Sequence, residues 1–428
     1  MTYDIIEPGN PDYETARNTL LASGNPACVI RPQTVGDVQG AVREVHGRRL
    51  SVRGGGHGFP GFGTNDGGVV IDLRHLDDVE IIDKDRHLVR VGGGATWGTV
   101  AAALTPYDLG ISSGDTRSVG VGGLTLSGGI GWKVRKYGLA LDNLVGAQVV
   151  TAAGEVVRAD AEENPDLFWA LRGGGGNFGI VTAFEFAAHP TTEVLHGKIA
   201  FPATEAGSVL EGWAAYLRTA AEDLTSVAAL ANPFARGPQA PLEIHVVVDG
   251  TEPEVLDPIR RLGTVIADDV TVKPYAETLE EGMTPPPGIR LATRNAFVRS
   301  GEVRNVLRIL TGEAASGRSP ILAIRGLGGA VARVPAGTTA YAHRDAELMV
   351  VGSAIGPEPV LEATAAARAA FWNRLAPHTA GMYANFVSTA GDEDVAEIYP
   401  PSTRARLAAV KRRFDPGNVF AGNHNVRP

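Results

Sequence analysis

Arg53-Gly54-Gly55-Gly56-His57-Gly58-Phe59-Pro60-Gly61 begins at the end of a short strand-like run, Leu50–Arg53. A strand that runs into a glycine cluster offers backbone N–H groups with no side chain in front of them. An anionic ligand such as a phosphate needs that concave array. His57 stands inside the cluster, and its neighbours Gly54, Gly55, Gly56 and Gly58 put no side chain around its ring. A lone histidine is ordinarily structural or solvated. Here the imidazole is free to lie directly against a ligand, which makes His57 the first functional candidate.

Two more clusters follow, Gly120–Gly131 and Gly173–Gly179. Glycine makes up 54 of 428 residues, nearly twice the ~7% of ordinary chains. Three clusters point to a large phosphorylated ligand gripped at several places; turns in a β-sandwich or barrel are the alternative. The common nucleotide motifs fail. Gly123-Leu124-Thr125-Leu126-Ser127-Gly128 is followed by Gly129 and Ile130, so a P-loop lacks its lysine. Gly120-Val121-Gly122-Gly123-Leu124-Thr125 lacks the third glycine of a dinucleotide fingerprint, and Val121 and Leu124 read as a packed loop.

Up to about residue 190 the chain alternates short strands with these clusters. Ala27–Pro32, Leu50–Arg53, Gly68–Leu73, Val79–Asp83, His87–Val91, Val145–Thr151, Glu155–Ala159 and Ile180–Ala188 read as strands. Thr34–Arg48, the Thr96-capped segment to Leu104, and Asn164–Leu171 read as helices. From Thr191 glycine thins. Amphipathic helices are expected at Glu205–Glu222, Pro253–Leu262, Gly301–Ala315 and Pro357–Leu375, with strands at Leu242–Val248, Ile321–Arg325 and Thr338–Val351. Pro285–Pro287 marks a loop, and Arg404 opens a basic helix. The pattern is α+β, with an antiparallel sheet in the second part.

Composition excludes several classes. Lys and Arg number 39 against 48 Asp and Glu, a net charge of −9. That balance speaks against nucleic acid and anionic lipid as partners. No apolar run reaches the ~18 residues of a membrane span, and the first residues have no signal-peptide pattern. A single cysteine, Cys28, allows no intrachain disulfide, iron–sulfur cluster or cysteine-type zinc site. It reads as a core residue. A reducing cytoplasm is the expected compartment, with monomer and homodimer both compatible and no metal indicated.

At RGGGHGFPG (53–61), GDTRSVGVGGLTLSGGIGW (114–132), DLFWALRGGGGNFGIVTAFEF (166–186) and FDPGNVFAGNHNVRP (414–428), the chain closely resembles the berberine bridge enzyme-like FAD-linked oxidases. These belong to the vanillyl-alcohol oxidase superfamily with its PCMH-type FAD-binding domain. The resemblance runs along nearly the whole chain, in order. It implies a two-part FAD-binding domain, residues 1–190 completed by 381–428, and a substrate domain, 191–380, whose antiparallel sheet covers the flavin. It also implies an 8α-histidyl bond from His57 to FAD. A neutral imidazole nitrogen can add to the electrophilic tautomer of the 8-methyl group, and the bond draws electron density from the ring.

The flavin site so implied comprises Arg53, Gly54, Gly55, Gly56, His57 and Gly58; Gly114, Asp115, Thr116, Val119, Gly120, Gly122, Gly123, Leu124, Gly128, Gly129 and Gly131; Asp142; Gly179, Ile180 and Val181; and Asn423 and Asn425. Two departures matter. Thr116 occupies the place of a second, cysteinyl link, so a single link is expected. Ile130 replaces the tyrosine that sugar-oxidising members carry, and Leu124 falls beside the expected oxygen pocket.

Oxidation of a C–H bond by a flavin needs a base for the accompanying proton. Tyr383, in Tyr383-Ala384-Asn385, is the first candidate, with Asn385 positioning substrate or flavin. In the alternating run Tyr341–Glu347, the residues Tyr341, His343, Asp345 and Glu347 would share one strand face. Tyr341 and His343 would then line the substrate site. The expected activity is oxidation of a small alcohol or amine, with O2 as acceptor. An oxygenase acting through a flavin–oxygen adduct, a dehydrogenase with another acceptor, and a non-catalytic binding protein are the alternatives.

Overall fold

The computed structural model describes residues 3–45, 47–230, 240–282, 284–286, 288–316 and 320–428. Pro287, the end of the expected Pro285–Pro287 loop, lies outside the described residues. The chain is α+β.

The first sheet has the order Asp4–Ile6, Cys28–Arg31, Val69–Asp72, Leu50–Arg53. Its last three strands are parallel, which demands a crossover. The helix Val35–Glu44 supplies it. Thr34 Oγ1 accepts from the Asp37 N–H at 3.1 Å, and Asp37 Oδ2 accepts from the Thr34 N–H at 3.1 Å. This reciprocal box fixes the helix start, and Val38, Ala41 and Val42 bury its inner face. A second, antiparallel sheet orders Val79–Asp83, Leu88–Gly92, Ile180–Ala187, Leu144–Val150 and Val156–Asp160. Trp97–Leu104 and Pro165–Leu171 pack into its core.

The chain enters a large antiparallel sheet at Glu193. Strand order there is Ala267–Asp268, Glu193–Phe201, Leu242–Val248, Leu224–Leu230, Ile321–Gly326, Ala346–Pro357, Ile289–Arg299. Alternate residues face opposite sides. Leu322, Ile324, Leu348 and Val350 pack under the helices Ala206–Leu217, Val303–Ala315 and Glu358–Leu375. The other face carries Ala323, Arg325, Val351 and Ser353 toward the first half of the protein.

The chain then returns. Pro401–Phe414 is helical, and Phe420 buries itself among Cys28, Leu50 and Val69 of the first sheet and Ile180 of the second.

Several expectations need correction. Val121–Ser127 is a helix, not a packed loop. Pro253–Leu262 makes only a 3-10 turn and one α turn, Pro253–Leu256 and Asp257–Arg260. Thr338–Val351 is not one strand; pairing starts at Ala346. The preceding backbone bonds elsewhere, Ala340 N–H to Trp169 O and Tyr341 N–H to Arg172 O. Tyr341, His343, Asp345 and Glu347 therefore do not share a sheet face.

Candidate active site

A cavity of about 580 Å3 lies between the glycine loops and the open face of the large sheet. That volume suits a ligand of cofactor size. All three glycine clusters reach it. Its wall includes Arg53, Gly54, Gly55, Gly56, His57 and Gly58 from the first. The second contributes Gly120, Gly122, Gly123 and Leu124, with Gly114, Asp115, Thr116 and Val119 just before it. The third contributes Gly176, Asn177 and Gly179, followed by Ile180 and Val181. The sheet floor is Leu291, Ala323, Arg325, Val351 and Ser353. Tyr383, Asn385, Phe386 and Asn423 complete it from the returning chain.

The glycines do two different jobs. A side chain at Gly55 would stand 2.3 Å from the Gly120 nitrogen, and one at Gly120 would stand 2.3 Å from the Gly55 nitrogen. Both loops must be bare because their backbones cross there. At Gly123, by contrast, a Cβ meets no protein atom within 4 Å. That glycine leaves room on the cavity wall for a ligand.

Gly128, Gly129 and Gly131 are not on the wall, contrary to expectation. A Cβ at Gly128 would strike Tyr383 Cε2 at 2.7 Å, and one at Gly131 would strike Ser113 O at 2.2 Å. They make space for protein. Gly129 nevertheless serves the site, since its N–H donates to the Tyr383 hydroxyl at 2.8 Å.

His57 is half-buried on the wall. Burial pushes its imidazole below the ordinary 6.5, against a smaller upward pull from Glu281 and a hydrogen bond to the Ser118 backbone. The ring is therefore neutral at pH 7. Arg53 lines the cavity but spends its terminal nitrogens on protein. Nη2 donates to Asp72 Oδ2 at 2.8 Å and to Ala16 O at 2.6 Å, and Nη1 to Asn18 O at 3.0 Å. It anchors the first loop. Asp115 pairs with Arg325 and accepts from Thr116 Oγ1 at 3.2 Å.

Asp142 is another correction. Its carboxylate is held by Arg344 Nη1 and Nη2 at 2.7 Å each, and Oδ2 also accepts the Leu139 N–H at 2.9 Å. It is off the cavity wall and braces the turn Ala140–Asn143.

Tyr383 is 2% exposed, yet its ring reaches the cavity. Its hydroxyl oxygen accepts from Gly129 N–H at 2.8 Å and from Asn385 Nδ2 at 2.9 Å. Asn385 also donates to Leu124 O at 3.2 Å. Burial raises the Tyr383 pKa above 10, while these donors and Arg325 pull it back in part.

Tyr341 and His343 stand behind Tyr383, not on the main cavity. They border a separate void of about 10 Å3. Tyr341 meets the Tyr383 ring edge-on, with centroids 6.4 Å apart. His343 stacks on Phe297 at 4.9 Å and bonds Ile398 O through Nε2 at 3.1 Å. Both support the wall from outside.

Asn423 is on the wall, while Asn425 is not. Three residues outside the expected set matter. Arg325 had no local sequence signal, being one arginine in an apolar strand. Tyr399 borders both cavities. Lys411, fully buried, donates to Asn177 O, Asp415 Oδ2 and Phe420 O at 2.7, 2.6 and 3.0 Å. It ties the C-terminal segment to the third glycine cluster.

These residues fit a flavin dinucleotide. Asn423 Oδ1 is a buried acceptor without a protein donor among the described residues, on the cavity wall. Such an acceptor is stable only when a ligand or water donates to it. Val119, Leu124, Ile180 and Val181 offer apolar surface for a flat ring, and Gly123 keeps backbone open to the cavity.

Comparison with known proteins agrees. Residues 26–160 match the model of an FAD binding domain. The chain is 34% identical to (R)-6-hydroxynicotine oxidase of Paenarthrobacter nicotinovorans, covering 99% of this chain and 96% of that protein. It is 31% identical to xylooligosaccharide oxidase of Thermothelomyces thermophilus, over 94% and 87%. Among solved structures, 6-hydroxy-D-nicotine oxidase of Arthrobacter nicotinovorans superposes with a TM-score of 0.87 at 28% identity, over 100% and 98% of the chains. BBE-like 1 of Physcomitrella patens shares the fold with a TM-score of 0.88 at 22% identity, over 100% and 97%. With this likeness along its whole length and a cavity of cofactor size built from its own motifs, the chain belongs to the berberine bridge enzyme-like FAD-linked oxidoreductases.

Proposed function

We propose that the protein oxidises a small alcohol or amine, with FAD carried on His57 by a single covalent link and O2 as the terminal acceptor, giving H2O2. The observation that carries this reading is the hydrogen bonding of the Tyr383 hydroxyl, on a residue of the cavity wall. Its oxygen receives two donors, and no described residue accepts its own proton. Such a phenol is built to exchange that proton with a substrate O–H or N–H.

FAD, when bound, supplies a two-electron acceptor for the hydride. His57 would hold it, its neutral nitrogen being the form able to make the bond. Thr116 offers no sulfur for a second link. Asn385 fixes the Tyr383 oxygen in place through the short loop at Ala384–Phe386. The floor of Leu291, Ala323 and Val351 accepts an apolar substrate body. That floor, with Arg325 and Ser353 as its polar groups, supports a small alcohol or amine over an oligosaccharide, which needs many hydrogen-bond partners.

Acid precipitation of the purified protein tests the link. Flavin is expected to stay in the pellet, and the FAD-derived mass to map to the peptide containing His57. In His57→Ala the flavin should pass entirely into the supernatant. Yellow supernatant from the wild type refutes the covalent bond, and colourless protein after expression with added FAD refutes the enzyme reading.

A further inference from the structure

Four arginines of low exposure are used in two ways. Arg53, Arg135 and Arg344 each spend both terminal nitrogens on protein acceptors. Arg325 does not. Its Nη2 bonds Asp115, while Nη1 has no protein partner among the described residues; Nε is buried without one, as it is in Arg53, Arg135 and Arg344, so the difference lies at Nη1. The side chain is 14% exposed, and its guanidinium lies over the Phe386 ring at 5.2 Å. It rises from the middle of the large sheet, where Val227 and Met349 flank it in register and Ala323 shares its face. A guanidinium on such an apolar floor is costly to desolvate, and its open N–H groups add to that cost until an acceptor arrives.

A purely structural bridge would look different. Arg344 shows the alternative in the same protein, gripping Asp142 with two nitrogens at 2.7 Å each. Arg325 keeps one side of its fork on Asp115 and leaves the other for the cavity. Asp115 holds the guanidinium in place and weakens its pull on any second anion. The aromatic ring of Phe386 beneath it, with Phe59 6.0 Å further on, provides a surface for a flat group.

We propose that Arg325 is a specificity-determining residue that receives an anionic oxygen, carboxylate or phenolate, carried by a flat apolar substrate. This rests on the reading that the same cavity holds the flavin and the substrate. Arg325 donates through Nη1, Asp115 sets the strength of that grip, and Phe386 stacks against the substrate body.

The test is calorimetric titration of the purified holoenzyme with benzoate and with its neutral counterpart benzamide. A charge-assisted bond exceeds a neutral one enough for about a ten-fold preference for benzoate. Arg325→Met is expected to erase that preference, and Arg325→Lys to keep part of it. Asp115→Asn frees the guanidinium of its counter-charge, so benzoate should bind several-fold more tightly. A misfolded variant cannot produce that gain. Equal binding of the two probes by wild type, or an unchanged preference in Arg325→Met, overturns the proposal. So does weaker benzoate binding in Asp115→Asn. Protein lacking flavin that still prefers benzoate keeps the anion site and overturns the redox reading instead.

Discussion

Replacing Tyr383 by phenylalanine should slow reduction of the flavin by substrate about 10²–10⁴-fold, the usual contribution of a positioned base, and leave FAD bound. The substitution deletes one oxygen and keeps the ring that packs against Phe386 at 5.6 Å and Tyr341 at 6.4 Å. It leaves the Gly129 N–H without its acceptor, while Asn385 retains Leu124 O. The orphaned donor costs about 1–3 kcal/mol, which a well-packed domain survives. The pH dependence follows from the environment of the hydroxyl. Burial raises its pKa above the ordinary 10, and the base is the deprotonated form. The rate of reduction should therefore climb with pH toward and beyond 10 and fall as pH drops. Removing the Asn385 donor, as in Asn385→Leu, pushes the pKa further up. That variant should be slower than wild type at every pH below the shifted limb. Anaerobic stopped-flow across pH reads all three proteins. A Tyr383→Phe enzyme that reduces its flavin at the wild-type rate removes Tyr383 from the chemistry.

What the sequence revealed was what depends on near neighbours. The RGGGHG run announces a bare loop with an imidazole in it, because glycine acts on its own backbone. The helix from Thr34 shows in the helical spacing of Val38, Ala41 and Val42, and the Thr34–Asp37 box that the structure adds at its start also closes within four residues. Distant partners were invisible. Tyr341–Glu347 alternates like a strand, but its backbone is claimed by Trp169 and Arg172, far back in the chain. Asp142 sits beside a glycine cluster and looks available; Arg344, two hundred residues on, occupies it. Gly128 and Gly131 resemble ligand glycines until Tyr383 and Ser113 are seen filling the space beside them. Arg325 gives no local sign, because its meaning comes from Asp115 and Phe386 arriving from elsewhere.

Lys411 is the sharpest case of that kind, and removing it should have a large effect. In Lys411-Arg412-Arg413 it looks like one more solvated charge at a helix end. The structure buries it completely against Asp415, itself completely buried. Its three bonds join the end of the helix Pro401–Phe414 to Asn177 and to Phe420. Asp415 in turn accepts the Val419 and Phe420 N–H groups at 2.8 and 2.9 Å. Lys411→Met strips the cation and leaves that carboxylate buried. Breaking a buried pair from one side costs about 3–5 kcal/mol. The loss falls on the segment that places Asn423 and His424 on the cavity wall. Asn177, whose amide bonds His424 O at 3.1 Å and whose Oδ1 accepts the Val426 N–H at 2.9 Å, loses its brace as well. Urea denaturation should therefore show the destabilisation, and quenching of the bound flavin should become sensitive to iodide before global unfolding. Removing Asp415 as well gives no full rescue, since the Val419 and Phe420 N–H groups then lose their acceptor. Wild-type stability and flavin protection in Lys411→Met would mean that the C-terminal segment is held by the apolar docking of Phe420 alone.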